Sequence, residues 1–187
     1  MAEMTPLFSL LLGLSPSILW LLFFLRKDIH PEPKKMIFQV FLLGMLSTTI
    51  ALILQVPLLN RADILGLKKL PIYLPPPLFK LFLSPLTPAI LSFLWIAVTE
   101  EVIKYMVIKI RIIKDSEFDE PLDAMIYMIT SAMGFAALEN ILVFLSGQRF
   151  GITLLSGIQL AGLRFISATF LHCLLYTSDA ADELDGV

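Results

Sequence analysis

The sequence predicts an all-α fold, a polytopic transmembrane helix bundle of about five spans. Hydrophobic residues make up 57% of the 187-residue chain, and its mean hydropathy is +0.84, which is typical of membrane proteins rather than of globular domains. The apolar residues are gathered into long stretches that alternate with charged or proline-rich loops. The single cysteine, Cys173, excludes an internal disulfide and is interpreted as a packing residue.

Each predicted span is an apolar stretch bounded by charged residues or prolines. About 20 helical residues cross the ~30 Å hydrocarbon core. The predicted spans cover residues 7–25, 36–59, 88–110, 122–145 and 164–176. Pro121 and Asp123 mark the first turn of the fourth span, where proline and an acidic residue favour a helix start. The fifth span is expected to begin at Arg164 and, at roughly 18 Å, to be too short to cross.

The distribution of basic residues predicts the orientation. The first loop contains Arg26, Lys27, Lys34 and Lys35, whereas no basic residue precedes the first span. Because cytoplasmic loops are enriched in Lys and Arg, we expect the first loop inside and the N-terminus outside. The predicted location is therefore a cell membrane, crossed several times.

The third span contains the first candidate functional residues, Glu100, Glu101 and Lys104. A charged residue at the centre of a span costs roughly 2.5 to 3.5 kcal/mol, so it persists where the protein partners or uses it. Lys104 lies four and three residues after the acids, so one lysine can face both. This pattern indicates either a structural charge cluster or a surplus carboxylate that acts as a general base or metal ligand.

The fourth span contains a second polar position. Ala132, Ala136 and Glu139 follow the spacing i, i+4, i+7 and so lie on one helix face. Small residues on that face indicate a packing seam with another helix. An unpaired glutamate is costly there, so Glu139 is predicted to have a further role.

His172 in the fifth span is the third candidate. If that helix begins at Arg164, His172 and Glu139 lie at similar depths, in the extracytoplasmic half of the membrane. A start at Thr153 would instead place His172 too deep to reach Glu139. Histidine together with carboxylates is the ligand set of zinc-type sites.

These residues together resemble the PrsW-type intramembrane proteases, relatives of the CAAX-protease and bacteriocin-processing group. The similarity covers roughly residues 21–174. Its motifs are Leu25-Arg26-Lys27-Asp28 with Pro31-Glu32-Pro33, Glu100-Glu101-Val102-Ile103-Lys104, Phe118-Asp119-Glu120-Pro121-Leu122-Asp123, Gly134-Phe135-Ala136-Ala137-Leu138-Glu139-Asn140-Ile141-Leu142, and Arg164 with His172. Each motif is weak alone, and their common order is specific.

The resemblance implies an endopeptidase of a bacterial or archaeal cell membrane. It would cleave a single-span, membrane-anchored regulator such as an anti-sigma factor near the extracytoplasmic face, with no nucleic-acid partner. The implied catalytic residues, which are also the candidate zinc ligands, are Glu100, Glu101, Glu139 and His172. The implied supporting residues are Lys104, Asn140, Arg164 and Asp123. Whether zinc is bound or a glutamate activates water directly stays open.

The C-terminal part departs from the family pattern. The family continues through further spans with another histidine, whereas the stretch from Cys173 to Glu183 resembles translated adapter sequence. Residues 177–187 contain four acidic residues and no basic residue. Without these four negative charges, the formal charge of −2 becomes +2 for the rest of the chain. We therefore expect an incomplete protease-like domain at residues 1–176, a non-native acidic tail at residues 177–187, and an inactive chain.

Two other functions fit the same polar residues. Buried glutamate, histidine and lysine also form proton relays in transporters, although no inverted repeat is detectable. A non-catalytic scaffold or immunity protein could keep the cluster for helix packing alone. A scaffold should tolerate Glu101→Gln, whereas a water-activating site should not.

Overall fold

The computed structural model describes residues 5–26, 32–60, 86–112, 121–149, 151, 153–170 and 172. The five elements in this part of the chain are all α-helices. They are α1 (Pro6–Leu25), α2 (Lys34–Asn60), α3 (Leu86–Arg111), α4 (Pro121–Arg149) and α5 (Leu154–Ile166). The all-helical prediction is confirmed, and the first four helices begin and end within four residues of the predicted bounds. The predicted acidic tail and Cys173 lie outside the described residues.

Three of the described helices are long and apolar enough to cross a membrane. Their membrane windows are Pro6–Leu25, Lys34–Gln55 and Asp123–Gln148. The helix α3 has 26 residues, about 39 Å at the helical rise, but it carries the charged residues of the third predicted span. The helix α5 has 13 residues, about 20 Å. The chain is thus a helical membrane protein, and its predicted total of five spans stays a prediction.

The predicted start of the fifth helix at Arg164 is wrong. The helix begins ten residues earlier, where the Thr153 hydroxyl caps it by accepting from the Ser156 N–H at 3.4 Å. Arg164 lies in the last turn. The backbone then leaves helical geometry at Ser167 (φ −94°, ψ −92°), and helical conformation resumes at residues 168–170.

The chain divides into two compact units. The first comprises Met1–Thr48 and Lys104–Val187, and the second comprises Thr49–Ile103. Within the first unit α4 is the buried helix: 67% of its membrane window is buried, against 28% for α1. Its side chains Tyr127, Ile129 and Met133 pack with α2 residues into the apolar core. The polar residues of α4 are therefore held by a rigid, protein-surrounded helix.

Glycines let α2 and α4 approach at backbone distance within the first unit. A methyl group at Gly134 would overlap the Phe41 carbonyl oxygen, and one at Gly44 would overlap the Ser131 carbonyl oxygen. Ala132, which was predicted to form the packing seam of this helix, is fully buried. The closest approach of α4 to α2 is at Gly134, which lies about 200° around the helix from Ala132. The predicted seam along Ala132, Ala136 and Glu139 therefore stays a prediction.

Candidate functional site

Glu139 is at the centre of a polar cluster in the first unit. The Arg164 guanidinium donates from Nη2 to Glu139 Oε1 at 2.7 Å. His172 Nε2 lies 3.5 Å from the other carboxylate oxygen, Oε2. Both oxygens of this two-thirds buried carboxylate therefore face nitrogen donors, as the charge of a membrane glutamate requires.

Asn140 connects the two sides of the helix interruption at Ser167. Arg164 Nε, before the interruption, donates to Asn140 Oδ1. Asn140 Nδ2 in turn donates to Thr169 Oγ1, after the interruption, at 3.1 Å. Asn140 and Thr169 are both fully buried, so these bonds form without competition from water. Through them α4 fixes the course of the chain that leads to His172.

Lys104 contacts His172 on the opposite side of the imidazole ring. Its Nζ lies 2.9 Å from His172 Nδ1 and 4.7 Å from the centroid of the Phe135 ring. An ammonium group can only donate, so beside a charged lysine Nδ1 accepts and Nε2 carries the ring proton. That proton then lies on the side of Glu139. Lys104, His172 and Glu139 thus form one chain of polar contacts.

The expectation that a helix start at Thr153 would separate His172 from Glu139 is also wrong. The depth estimate assumed one straight helix, with about 1.5 Å of rise per residue. The interruption at Ser167 removes that assumption, because the chain changes direction before it reaches His172. The two side chains consequently meet although α5 begins at Leu154.

Glu100 and Glu101 belong to the second unit. Both are half-buried on α3, and Gln55 Nε2 of α2 donates to Glu100 Oε1 at 3.4 Å. Thr99, immediately before them, is 7% exposed. A buried amide that donates to a membrane carboxylate is the kind of support that these positions require.

Asp123 lies in the first turn of α4, as predicted. It is buried, at 3% exposure. It precedes Glu139 by 16 residues, about 24 Å along the helix axis. Asp123 is therefore not a member of the Glu139 cluster. Its predicted supporting role stays a prediction and does not involve contact with Glu139.

The described side chains do not form a metal site. Among them, no group of three or more His, Cys, Asp or Glu residues is arranged to hold an ion. The adjacent pair Glu139 and His172 is already contacted by two basic groups, Arg164 at 2.7 Å and Lys104 at 2.9 Å. A divalent cation would have to displace or neutralise these groups, since like charges repel at such distances. This arrangement does not fit zinc.

Sequence reasoning missed several contributors to the two units. Thr169 holds Asn140, and the Phe135 ring lies edge-on to His172 with centroids 5.9 Å apart. Gln55 is identifiable from the sequence as a candidate, because it is a polar amide within an apolar span. Phe135 had none, because an aromatic residue in a span is ordinary.

Comparison with known proteins decides the family. Residues 32–181 match the profile of the PrsW family intramembrane metalloproteases. The chain belongs to the PrsW family. This match confirms the resemblance inferred from the sequence motifs, and it includes every residue of the Glu139 cluster.

Two curated relatives are similar over most of the chain. Protease PrsW of Geobacillus kaustophilus is 30% identical over 135 residues, which is 72% of this chain and 51% of that protein. Protease PrsW of Oceanobacillus iheyensis is 27% identical over 162 residues, 87% of this chain and 61% of that protein. The chain thus spans about half to three-fifths of the length of these relatives. No solved structure is a significant match.

Proposed function

We propose that this chain is the major part of an intramembrane endopeptidase in which a glutamate activates water. The supporting observation is a partly buried network of Lys104, His172, Glu139 and Arg164 within a member of a protease family. The proposed substrate is a single-span membrane protein of the anti-sigma-factor kind, cleaved near the extracytoplasmic face. Both curated relatives bear the name protease.

Glu100 or Glu101 is the proposed general base. Its carboxylate takes a proton from water, and the hydroxide attacks the carbonyl carbon of the scissile peptide bond. The tetrahedral intermediate then collapses with cleavage of the C–N bond. The protonated glutamate gives this proton to the leaving nitrogen, which restores the carboxylate of the glutamate and yields a carboxylic acid and an amine. The product acid then loses its proton to water. A helix of membrane length is a costly place for two carboxylates, which supports their use in chemistry.

His172 is proposed to stabilise the oxyanion of the tetrahedral intermediate by donating a hydrogen bond from Nε2. Lys104 and Glu139 contact its two ring nitrogens, so they determine its tautomer and its orientation. Arg164 holds Glu139, and Asn140 holds Arg164. We propose that these residues position His172 rather than act on the substrate themselves.

The glutamate-type mechanism makes a prediction about metals. Because the side chains around His172 do not fit zinc, cleavage should persist after dialysis against a chelator. Loss of cleavage with chelator, and its recovery on adding zinc, would instead establish the metal-dependent type. No step of the proposed reaction uses a metal.

The decisive experiment is co-expression with a tagged single-span substrate. Glu100→Gln and Glu101→Gln should each lower cleavage by at least about 100-fold, the scale of a lost general base, at unchanged protein level. Glu32→Gln, a carboxamide substitution at a glutamate that contacts Tyr127, is the matched control and should cleave normally. Full cleavage by both test variants would contradict the proposal.

The assay should use two chains. One is the 187-residue chain, whose predicted inactivity stays a prediction. The other joins residues 1–176 to the C-terminal part of the Geobacillus kaustophilus relative, of which this chain covers 51%. The same substitutions are compared in whichever chain cleaves the substrate.

The proposed orientation places the N-terminus outside and the chain in several membrane crossings. Arg26, Lys34 and Lys35 flank the connection between α1 and α2, which supports a cytoplasmic position for it. Single cysteines at Thr5 and Lys35 test this. A membrane-impermeant thiol reagent added to whole cells should label the first position and not the second.

A further inference from the structure

A cavity of about 490 Å³ lies between α1 and α2 in the first unit, away from the Glu139 cluster. Its walls are apolar and include Ile18, Leu22 and Phe41. Its rim is charged, with Arg26 at the end of α1, Lys34 at the start of α2 and one carboxylate, Glu32, so the two cations outnumber the acid. The cavity therefore has a charged end and an apolar end.

The ends of the helices show where the cavity lies in a membrane. Arg26 follows the last residue of α1, and Lys34 is the first residue of α2, so the rim is at the level of the membrane–water interface. Ile18 lies eight residues before Arg26 and Phe41 lies seven residues after Lys34, which places both about 10 to 12 Å deeper. The cavity thus extends from headgroup level into the acyl-chain region.

The charged groups of the rim favour binding of an anion. Arg26 and Lys34 are exposed, while the carboxylate of Glu32 accepts a hydrogen bond from the Tyr127 hydroxyl at 2.5 Å and is thereby held toward α4. The first turn of α2 contains no acidic residue, and Lys34 is its first residue. Cations are disfavoured at a helix N-terminus, and a bound anion would relieve this repulsion.

We propose that this cavity binds an anionic phospholipid, with the phosphate at Arg26 and Lys34 and an acyl chain along the apolar wall. An acyl chain suits that wall because it needs no hydrogen-bond partner, whereas the amides of an extended peptide would be left unpaired. Basic pockets between membrane helices bind acidic headgroups by the same electrostatics. The proposal does not depend on protease activity.

The test is native mass spectrometry of the purified, delipidated 187-residue chain with phosphatidylglycerol and phosphatidylcholine of identical acyl chains. We expect phosphatidylglycerol to bind at least tenfold more tightly. Each of Arg26→Gln and Lys34→Gln should weaken it by about fivefold, and the double variant should bind the two lipids within twofold of each other. Lys35→Gln, an exposed lysine one residue outside the cavity lining, is the matched control and should keep the preference.

A second pair of variants tests the apolar wall. Leu22→Trp should fill the cavity and reduce retention of both lipids, whereas Leu19→Trp, at a similarly exposed position of α1 outside the lining, should not. Circular dichroism confirms that each variant is folded. Equal binding of the two lipids by the unsubstituted chain would overturn the proposal, as would unchanged binding in Leu22→Trp or in the double glutamine variant.

Discussion

Two sides of α4 make contacts of different kinds with the rest of the first unit. Toward α2, Gly134 brings the helices to backbone distance, and the contact depends on size and shape. Around Glu139 the contact depends on charge and hydrogen bonds, with Arg164 at 2.7 Å and His172 at 3.5 Å. The first side resembles ordinary membrane-helix packing. The second retains charges that an apolar seam would not need, and the function proposed above assigns them a role in positioning His172.

The largest expected effect on stability lies on the size-dependent side. Gly134→Ala should destabilise the fold by about 1 to 3 kcal/mol, because the new methyl group would overlap the Phe41 carbonyl oxygen and force the helices apart. Gly162→Ala on α5 is the matched control. Its methyl would meet no atom of the described chain within 4 Å, so the change should be neutral or slightly stabilising. Equal thermal unfolding of the two variants in detergent would refute the close approach.

On the charged side, Arg164→Met should cost about 2 kcal/mol of unfolding free energy. It leaves Glu139 without its cation, but the carboxylate is 34% exposed and partly solvated, so the loss is below that of a fully buried pair. Arg164→Lys keeps a charge and should recover part of the loss. Denaturation of the three proteins measures this order, and a Met variant as stable as the original would make the ion pair negligible.

A smaller effect, about 1 kcal/mol, is expected for Thr169→Val. This substitution keeps the shape of the side chain but removes the acceptor of the fully buried Asn140 amide. Because Thr169 lies three residues before His172, the substitution should lower the rate of cleavage by a larger factor than it lowers the folding equilibrium constant. Ser167→Ala, at an exposed hydroxyl that bonds only within its own turn among the described contacts, is the control and should change neither.

The contrast also explains what the sequence could predict. The bounds of α1 to α4 were close because apolar runs there stop at prolines and charges. The start of α5 is harder to predict, because a charged residue such as Arg164 resembles the end of a membrane span. In the structure Arg164 lies within the helix and contacts Glu139. The N-cap at Thr153, followed three residues later by Ser156, was the signal to use.

The partners within the polar cluster were harder to predict. Lys104 and His172 are 68 residues apart, and their contact depends on the interruption at Ser167, which no local pattern announces. Sequence reasoning assigned Lys104 to the neighbouring acids of its own helix. Glu139, Arg164 and His172 are identifiable from the sequence, because charged residues in apolar runs are visible without any knowledge of the fold, and the structure brings these three side chains into contact.

The most direct test of the central claim, that the charges around Glu139 serve catalysis rather than packing, is the double variant Glu139→Leu with Arg164→Met. Replacing both partners of an ion pair by apolar residues is often neutral for stability, but the buried Asn140 oxygen also loses its Arg164 donor. We therefore expect a folded variant whose unfolding free energy is lower by about 1 to 3 kcal/mol. Cleavage of the co-expressed substrate should nevertheless fall by about 100-fold, because His172 would lose the contacts that position it. A stable double variant that still cleaves at the original rate would contradict the claim.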